Sequence, residues 1–251
     1  MKGLRDFLLD PSLRMLDVDG PERPQLHSRV LERKWALKDV FVEFHHAFHR
    51  LVDHYCKVAG LEIESDAGVA PMRNSYPEVL ATDVVFGVPL DRMLNALYRQ
   101  NCFHHFADPA LLFTESHRAL KPGGGVILIE PRYKLFGAFI YKRLFKSEGF
   151  DTSYTSWGAS SVGPMNGGNQ ALTYSGLVRD RHVFDFKFPV LEIAHQEVGD
   201  NHLRYLVFGG RSFRQLLSKA LIPLIEKIGL LFRLVRKFFA LHHVVVMRRM
   251  V

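Results

Sequence analysis

One stretch limits the fold more than any other: Lys121-Pro122-Gly123-Gly124-Gly125 followed by Val126-Ile127-Leu128-Ile129. Four consecutive aliphatic residues leave no polar face, so a strand here is covered on both sides. A doubly covered strand belongs to a parallel sheet with helices above and below it. The Gly and Pro residues before it end a helix well. Pro109 to Leu120 supplies that helix, with Leu111, Leu112, Phe113 and Leu120 as its apolar positions. Glu130-Pro131 closes the strand.

The same alternation runs through the rest of the chain. Leu61-Glu62-Ile63-Glu64 is a short strand, and Ser65-Asp66-Ala67-Gly68 is the turn after it. Val79-Leu80-Ala81-Thr82-Asp83 reads as a second buried strand ending in an acid. Ala96 to Phe103 is a third, ending at His104-His105, and Leu191–Val198 and Leu241–Arg248 follow. Strands alternating with helices predict an α/β chain with a doubly wound, mostly parallel sheet.

Two helical segments flank this pattern. In residues 28–57, Leu37, Phe41, Phe44, Phe48, Leu51 and Tyr55 recur at spacings of four and three, which is one helical face. His45, His46, His49 and His54 share that helix. His45 and His49, four apart, have metal-ligand spacing, but no carboxylate or Cys frame completes a site, so no metal is expected. Residues 211–239 are the second amphipathic segment. Leu217, Leu221, Leu224, Ile228, Leu231, Val235 and Phe238 form its stripe, with Lys219, Glu226, Arg233 and Lys237 between them. Pro223 is expected to divide or kink it. The stripe fits first a helix packed on the sheet or its own cap, since most apolar helical faces are core, and alternatively a basic amphipathic surface that meets an anionic interface.

The formal charge of +7 admits nucleic acid, anionic lipid or an acidic ligand. Lys and Arg are dispersed, and no basic tract or nucleic-acid motif occurs, so nucleic acid is not the expected partner. Cys56 and Cys102 are far apart and in no metal-type spacing, which points to a reducing compartment. The start, Met1-Lys2-Gly3-Leu4-Arg5-Asp6, carries charge where a secretory core has none, and no apolar run is long enough to span a bilayer. A cytoplasmic protein is expected, with peripheral membrane contact left open. Nothing in the sequence fixes the oligomeric state.

Open parallel sheets bind ligands at the carboxyl ends of their strands. Glu64 to Gly68, Asp83 and Asn101 to His105 all fall at such ends. An acid at the end of a second strand can accept hydrogen bonds from both ribose hydroxyls. The first turn has no Gly-x-Gly-x-x-Gly, against a nicotinamide dinucleotide, and the chain has no phosphate-binding Gly-x-x-x-x-Gly-Lys-Ser/Thr.

Glu64-Ser65-Asp66-Ala67-Gly68 looks like a degraded acid-x-Gly-x-Gly motif. Ala81-Thr82-Asp83-Val84, Gln100-Asn101-Cys102-Phe103-His104-His105-Phe106-Ala107-Asp108-Pro109 and Ala119-Leu120-Lys121-Pro122-Gly123-Gly124 resemble three further motifs of one family. These are the class I S-adenosylmethionine-dependent methyltransferases, of the type 11 kind. The resemblance implies a Rossmann-like fold with a helical N-terminal segment and a cap insertion. It implies residues 1–59 as arm and helix, 60–131 as the cofactor-binding core, 132–185 as cap or substrate-binding insertion, and 186–251 as C-terminal strands with an amphipathic helical insertion. It implies S-adenosyl-L-methionine as cofactor, held by Glu64, Asp66, Ala67, Gly68, Asp83, Val84, Asn95, Ala96 and Asn101. Asn95-Ala96 stands for the adenine-reading pair. His104 and His105 are candidate bases, or pack against the cofactor.

The sequence departs from the family in two places. Asp66 occupies the position of the first glycine, and only Val84 to Gln100 remains for a third strand, a loop and a fourth strand. Two functions stay open. One is methyl transfer to a small, apolar or lipid-like acceptor beneath a cap that includes Tyr133, Tyr141, Phe145, Phe150, Tyr154 and Trp157. The other is a non-catalytic binding or scaffold protein on the same fold. Gly163 to Gln170, with two Asn and a Gln, is either a substrate-orienting loop or an ordinary one.

Overall fold

A computed structural model describes residues 6–10, 29, 32–56, 61–65, 79–81, 92, 94–106, 108–145, 148–155, 157–158, 168–199, 202–210 and 213–250. Helix α1 is Trp35–Tyr55. Ala36, Leu37, Val40, Phe41, Phe44, Phe48, Leu51 and Val52 are buried along one face, while Lys38 and Asp39 are exposed. The helix starts at Trp35 rather than at residue 28 because Lys34 leaves the helical region (φ −105°, ψ 61°). Its buried Nζ instead donates to the carbonyls of Gly210, at 2.9 Å, and Phe213.

Six strands form one sheet: β1 Leu61–Ser65, β2 Val79–Ala81, β3 Leu94–Gln100, β4 Leu120–Pro131, β5 Leu191–Val198 and β6 His242–Arg249. Their order is β2-β1-β3-β4-β6-β5. The first four run parallel, and β6 lies antiparallel between β4 and β5. The fold is therefore α/β and Rossmann-like, doubly wound and mostly parallel. The chain moves outward from β1 to β2 and then returns to place β3 on the other side of β1. This reversal of strand order is where such sheets open a ligand crevice.

Alternation along the strands divides the core into two layers. Ala96, Tyr98, Ile127, Ile129, Val244 and Val246 face α1. Leu94, Leu97, Val126, Leu128, Val245 and Met247 face the other way. That second face is covered by α2 (Pro109–Ala119) and by helical residues 172–187. Val126 to Ile129 are thus buried on both faces, as four successive aliphatics require.

Several boundaries differ from the sequence expectation. β3 ends at Gln100, because Asn101 takes a left-handed φ of 50°, and Phe103–His105 is a single 3-10 turn. The Gly-rich turn belongs to β4: Ala96 pairs with Gly125 after a register shift. A Cβ on Gly124 would stand 2.7 Å from the Asn95 carbonyl, and one on Gly125 2.8 Å from that of Met247. The glycines are therefore fixed by backbone approach as well as by helix termination. After β4 comes α3 (Leu135–Leu144), then α4 (Arg181–Lys187) and α5 (His202–Val207).

Residues 213–218 are not helical. The second amphipathic segment begins with a 3-10 turn at Lys219–Leu221 and continues as α6 (Ile222–Phe232), a 3-10 turn Arg233–Val235 and α7 (Arg236–Phe239). Pro223 lies in the first turn of α6, where its missing N–H costs nothing, so it starts the helix rather than kinking it. The stripe from Leu221 through Leu224, Ile228, Leu231 and Val235 to Phe238 is exposed, and Ile225 is the buried residue of α6.

Candidate functional site

The site is built around one buried carboxylate. Glu130 ends the all-aliphatic part of β4 and is fully buried. Its Oε1 accepts from the Cys102 N–H at 2.9 Å and the Phe103 N–H at 2.8 Å, and its Oε2 lies 2.7 Å from His104 Nδ1. A buried carboxylate must be paired, and the turn after β3 supplies all three partners. Asn101 N donates to the Ile129 carbonyl at 2.8 Å, which holds the turn against β4. Asn tolerates the left-handed conformation better than most residues because of its short polar side chain.

His104 sits between two acids. Its Nδ1 meets Glu130, and its Nε2 lies 3.4 Å from Glu148 Oε2. Burial by itself pulls the imidazole pKa down, but the charge and hydrogen bond of Glu130, with those of Glu148, outweigh it and raise it to about 9. His104 is therefore an imidazolium at neutral pH. His105 stacks beside it with ring centroids 4.2 Å apart. One donor atom from each of His104, His105 and Glu148 falls within 4.8 Å of the others.

A second loop fixes this group. Asn169 N donates to the His104 carbonyl at 2.9 Å, and a Cβ on Gly168 would meet His104 O at 2.8 Å and His105 Nδ1 at 3.1 Å. Gln170 Nε2 donates to Phe145 O and its N–H to Gly149 O, tying down both sides of Glu148. Asn169 Oδ1 and Nδ2 likewise hold Asp151. Asn169 and Gln170 are buried and bond backbone, so these two amides shape the loop itself.

The expected site residues divide into three groups. Asn101, His104 and His105 lie together at the carboxyl end of β3. The backbone of Glu64 is at the same end of β1, since Glu64 pairs with Tyr98 and Ser65 with Arg99. Asp66, Ala67, Gly68, Asp83 and Val84 lie outside the described residues. Asn95 and Ala96 do not share this end. Ala96 pairs with Glu62, and six residues of strand separate Asn95 from Asn101, roughly 20 Å at strand rise. The physical reason is the length of the chain between β2 and β3: Asn95 and Ala96 are used as the start of a strand and cannot also be the loop beyond its neighbour's end.

Tyr133, Tyr141, Phe145 and Phe150 do form one aromatic cluster, with Phe150 stacked on both tyrosines at 5.9 Å. Trp157 leaves it and packs with Phe113, Phe184 and Phe188 on the other face of the sheet. Tyr154 is exposed, and its carbonyl accepts from Arg179. His45 and His49 bond to each other through their Nε2 atoms at 3.1 Å.

Glu130 and Glu148 were not anticipated as site residues. The signal for Glu130 was present, since an acid closing an otherwise aliphatic strand needs a buried partner. Glu148 gives no such signal, because tertiary folding alone brings it to His104.

The chain resembles the class I S-adenosylmethionine-dependent methyltransferases, and residues 46–128 match the family described as a methyltransferase domain. No curated protein matches it. Among solved structures, it is similar to the geranyl diphosphate C-methyltransferase of Streptomyces coelicolor A3(2), solved with Mg2+, geranyl diphosphate and S-adenosyl-L-homocysteine. Identity is 11%, coverage is 97% of this chain and 89% of that one, and the TM-score is 0.43. A chain from the Haloferax volcanii complex of a methyltransferase activator and a methyltransferase gives 14% identity, 96% and 99% coverage and a TM-score of 0.47.

Proposed function

We propose that the protein transfers a methyl group from S-adenosylmethionine to a small, apolar or lipid-like acceptor. The observation that carries this reading is the reversal of strand order at β1, which sets the Asn101–His105 turn beside the end of the strand that leads into residues 64–68. The cofactor supplies a methyl carbon already bonded to a positively charged sulfur. The chain's own work is to hold, orient and exclude water. Glu64, Asp66, Ala67 and Gly68 are assigned to the methionine end, Asp83 and Val84 to the ribose, and Asn101 to the crevice wall. The acceptor atom bonds to the methyl carbon, the carbon–sulfur pair stays on sulfur, and a hydroxyl acceptor loses its proton to a base. His104 already carries a proton at neutral pH, so His105 is assigned that role. Titration calorimetry with S-adenosylhomocysteine tests the reading. One-to-one binding is expected, weakened by about 1.5–3 kcal/mol in Asp83→Ala. No heat at millimolar ligand overturns it.

The exposed helical segment supports a lipid-like acceptor and a cytoplasmic protein docked on an anionic membrane. Among the described residues no helix is long and apolar enough to cross a membrane. Leu135, 93% exposed, and Phe139 on α3 join Leu231 and Leu234, 84% exposed, and Phe238. The two elements are adjacent: Phe136 packs on Phe239 at 5.3 Å, and Arg132 donates to Lys237 O. Residues 132–145 and 219–239 hold nine Lys and Arg against the single acid Glu226. An apolar face ringed by cations fits an interface of acidic lipids. Salt-sensitive sedimentation with anionic but not neutral vesicles is expected, and absence of sedimentation with either rejects docking.

The non-catalytic reading keeps one specific support, the far placement of Asn95 and Ala96 together with Asp66 in the glycine motif. A folded protein that binds no S-adenosylhomocysteine selects it.

A further inference from the structure

We propose that His104, His105 and Glu148 bind a divalent transition-metal cation of the zinc class at the carboxyl end of β3. The sequence led to the opposite expectation, since its visible histidine spacing lay elsewhere, at His45 and His49. The proposal does not rest on methyl transfer, because the site is defined by its own donor atoms; in the metal-bound protein His105 is a ligand and does not serve as the base assigned above.

The donor set is the first argument. Two imidazoles and one carboxylate suit zinc, cobalt or iron, and three protein ligands leave coordination positions for water or a substrate oxygen. Spacing is the second. Metal bonds of about 2.0–2.1 Å at tetrahedral angles set ligand atoms roughly 3.4 Å apart. His104 Nε2 and Glu148 Oε2 stand 3.4 Å apart. The full triad lies within 4.8 Å, and the partly exposed Glu148 side chain can rotate inward to close it.

The surroundings are the third argument. A metal-bound histidine characteristically gives its other ring nitrogen to a carboxylate, which fixes the ring and its tautomer. Glu130 does this at His104 Nδ1, at 2.7 Å, from a fully buried position. His104 Nε2 is itself buried, and its contact with Glu148 Oε2, at 3.4 Å, is long for a hydrogen bond. It points toward the Glu148 carboxylate, at a distance where a shared cation satisfies both. Two carboxylates about one imidazole create a field that favours positive charge, and a cation answers that field with the charge of two protons. The clamps from Gly168, Asn169 and Gln170 hold the two loops that carry these ligands, so little ordering remains for binding to impose. The His45–His49 pair has none of this. Each Nε2 is engaged with the other, and no carboxylate joins them in a metal-sized group among the described residues.

The test is a titration of the full, untagged chain with Co2+ alone, followed by visible absorption, and with Zn2+ by calorimetry. One equivalent is expected to bind, with the intense visible band of four- or five-coordinate cobalt, and to raise the melting temperature. Glu148→Gln and His105→Ala change one ligand each and should lower affinity at least about 100-fold while circular dichroism shows the apo proteins still folded. Glu130→Gln should cost about 10–100-fold, as outer-shell partners do. His49→Ala should leave binding unchanged. No stoichiometric binding, or equal affinity in wild type and Glu148→Gln, overturns the proposal and leaves His104 as an imidazolium held by two carboxylates. Loss of binding in His49→Ala overturns it in favour of the α1 pair.

Discussion

Two regions of this molecule invert the usual division between interior and surface. At the end of β3, charged and polar groups are buried: Glu130, His104, Asn169 and Gln170 have almost no exposure. In residues 219–239, large apolar side chains are exposed, and in α6 Ile225 is buried and Ile222 half-buried against the core. Neither arrangement is what stability alone selects, since a buried charge and an exposed leucine stripe both cost free energy. The difference lies in how each is compensated. In the polar cluster the Glu130 carboxylate is satisfied within the chain, by Cys102 N, Phe103 N and His104 Nδ1, while the buried Gln170 Oε1 has no hydrogen-bond partner among the described residues. Among the described residues nothing covers the apolar stripe. One region answers its buried charge with hydrogen bonds, and the other leaves its apolar face exposed among the described residues.

The comparison breaks first at Glu130. Glu130→Ala strips three donors of their buried acceptor and leaves His104 beside Glu148 alone. Destabilisation of about 3–5 kcal/mol is expected in urea unfolding, as for other broken buried pairs. A loss within the range of a surface substitution would mean that the cluster is not the keystone of the turn. The surface should behave in the reverse manner. Reversing Arg233, Arg236 and Lys237 to Glu should weaken binding to anionic vesicles by about 1 kcal/mol for each charge lost, while stability stays within about 0.5 kcal/mol. Unfolding of this variant, with vesicle binding intact, would reassign the segment to the core.

A pH titration sharpens the polar side. The folded pKa of His104 is raised to about 9, against an unfolded value near 6.5. Its stabilisation is therefore complete below about pH 6.5 and disappears as pH rises through about 9. Melting temperature should fall over that window, and the fall should flatten in Glu130→Gln. The smallest expected effect is at Asn101. Its φ of 50° suits glycine, so Asn101→Gly should be neutral, whereas Asn101→Ala should cost about 1 kcal/mol in the same unfolding assay.

Much of the architecture was legible because periodicity is a local property. The run Val126 to Ile129 could only be a doubly covered strand, and Pro109 to Leu120 reads as a helix, which the structure ends one residue earlier, at Ala119, where β4 takes over. Of the α1 stripe, Leu37, Phe41, Phe44, Phe48 and Leu51 are buried and Tyr55 is half-buried, while Ala36, Val40 and Val52 widen the buried face beyond it. Strand ends were read less well. The pattern carries β3 three residues too far because hydrophobicity continues through Phe103, whereas the positive φ of Asn101, invisible in the pattern, stops the ladder at Gln100. Asn101, His104 and His105 were identified from their motif, but their environment was not. Glu148 follows β4 by seventeen residues and reaches His104 only because Gln170 pins its loop at Phe145 and Gly149.

The stripe from Leu221 to Phe238 marks the limit of sequence most clearly. Spacing established that one helical side is apolar, since helical geometry follows from positions three and four apart. Whether that side is covered depends on which surfaces the finished sheet has left to offer. Here α1 and α5 already cover the sheet face toward which Ile225 turns, so the remaining leucines point away from the protein. The sequence by itself determined the elements, their apolar faces and the motif at the end of β3. Tertiary structure alone decided which acids meet His104 and which apolar face stays in contact with solvent, because both depend on contacts between segments far apart along the chain.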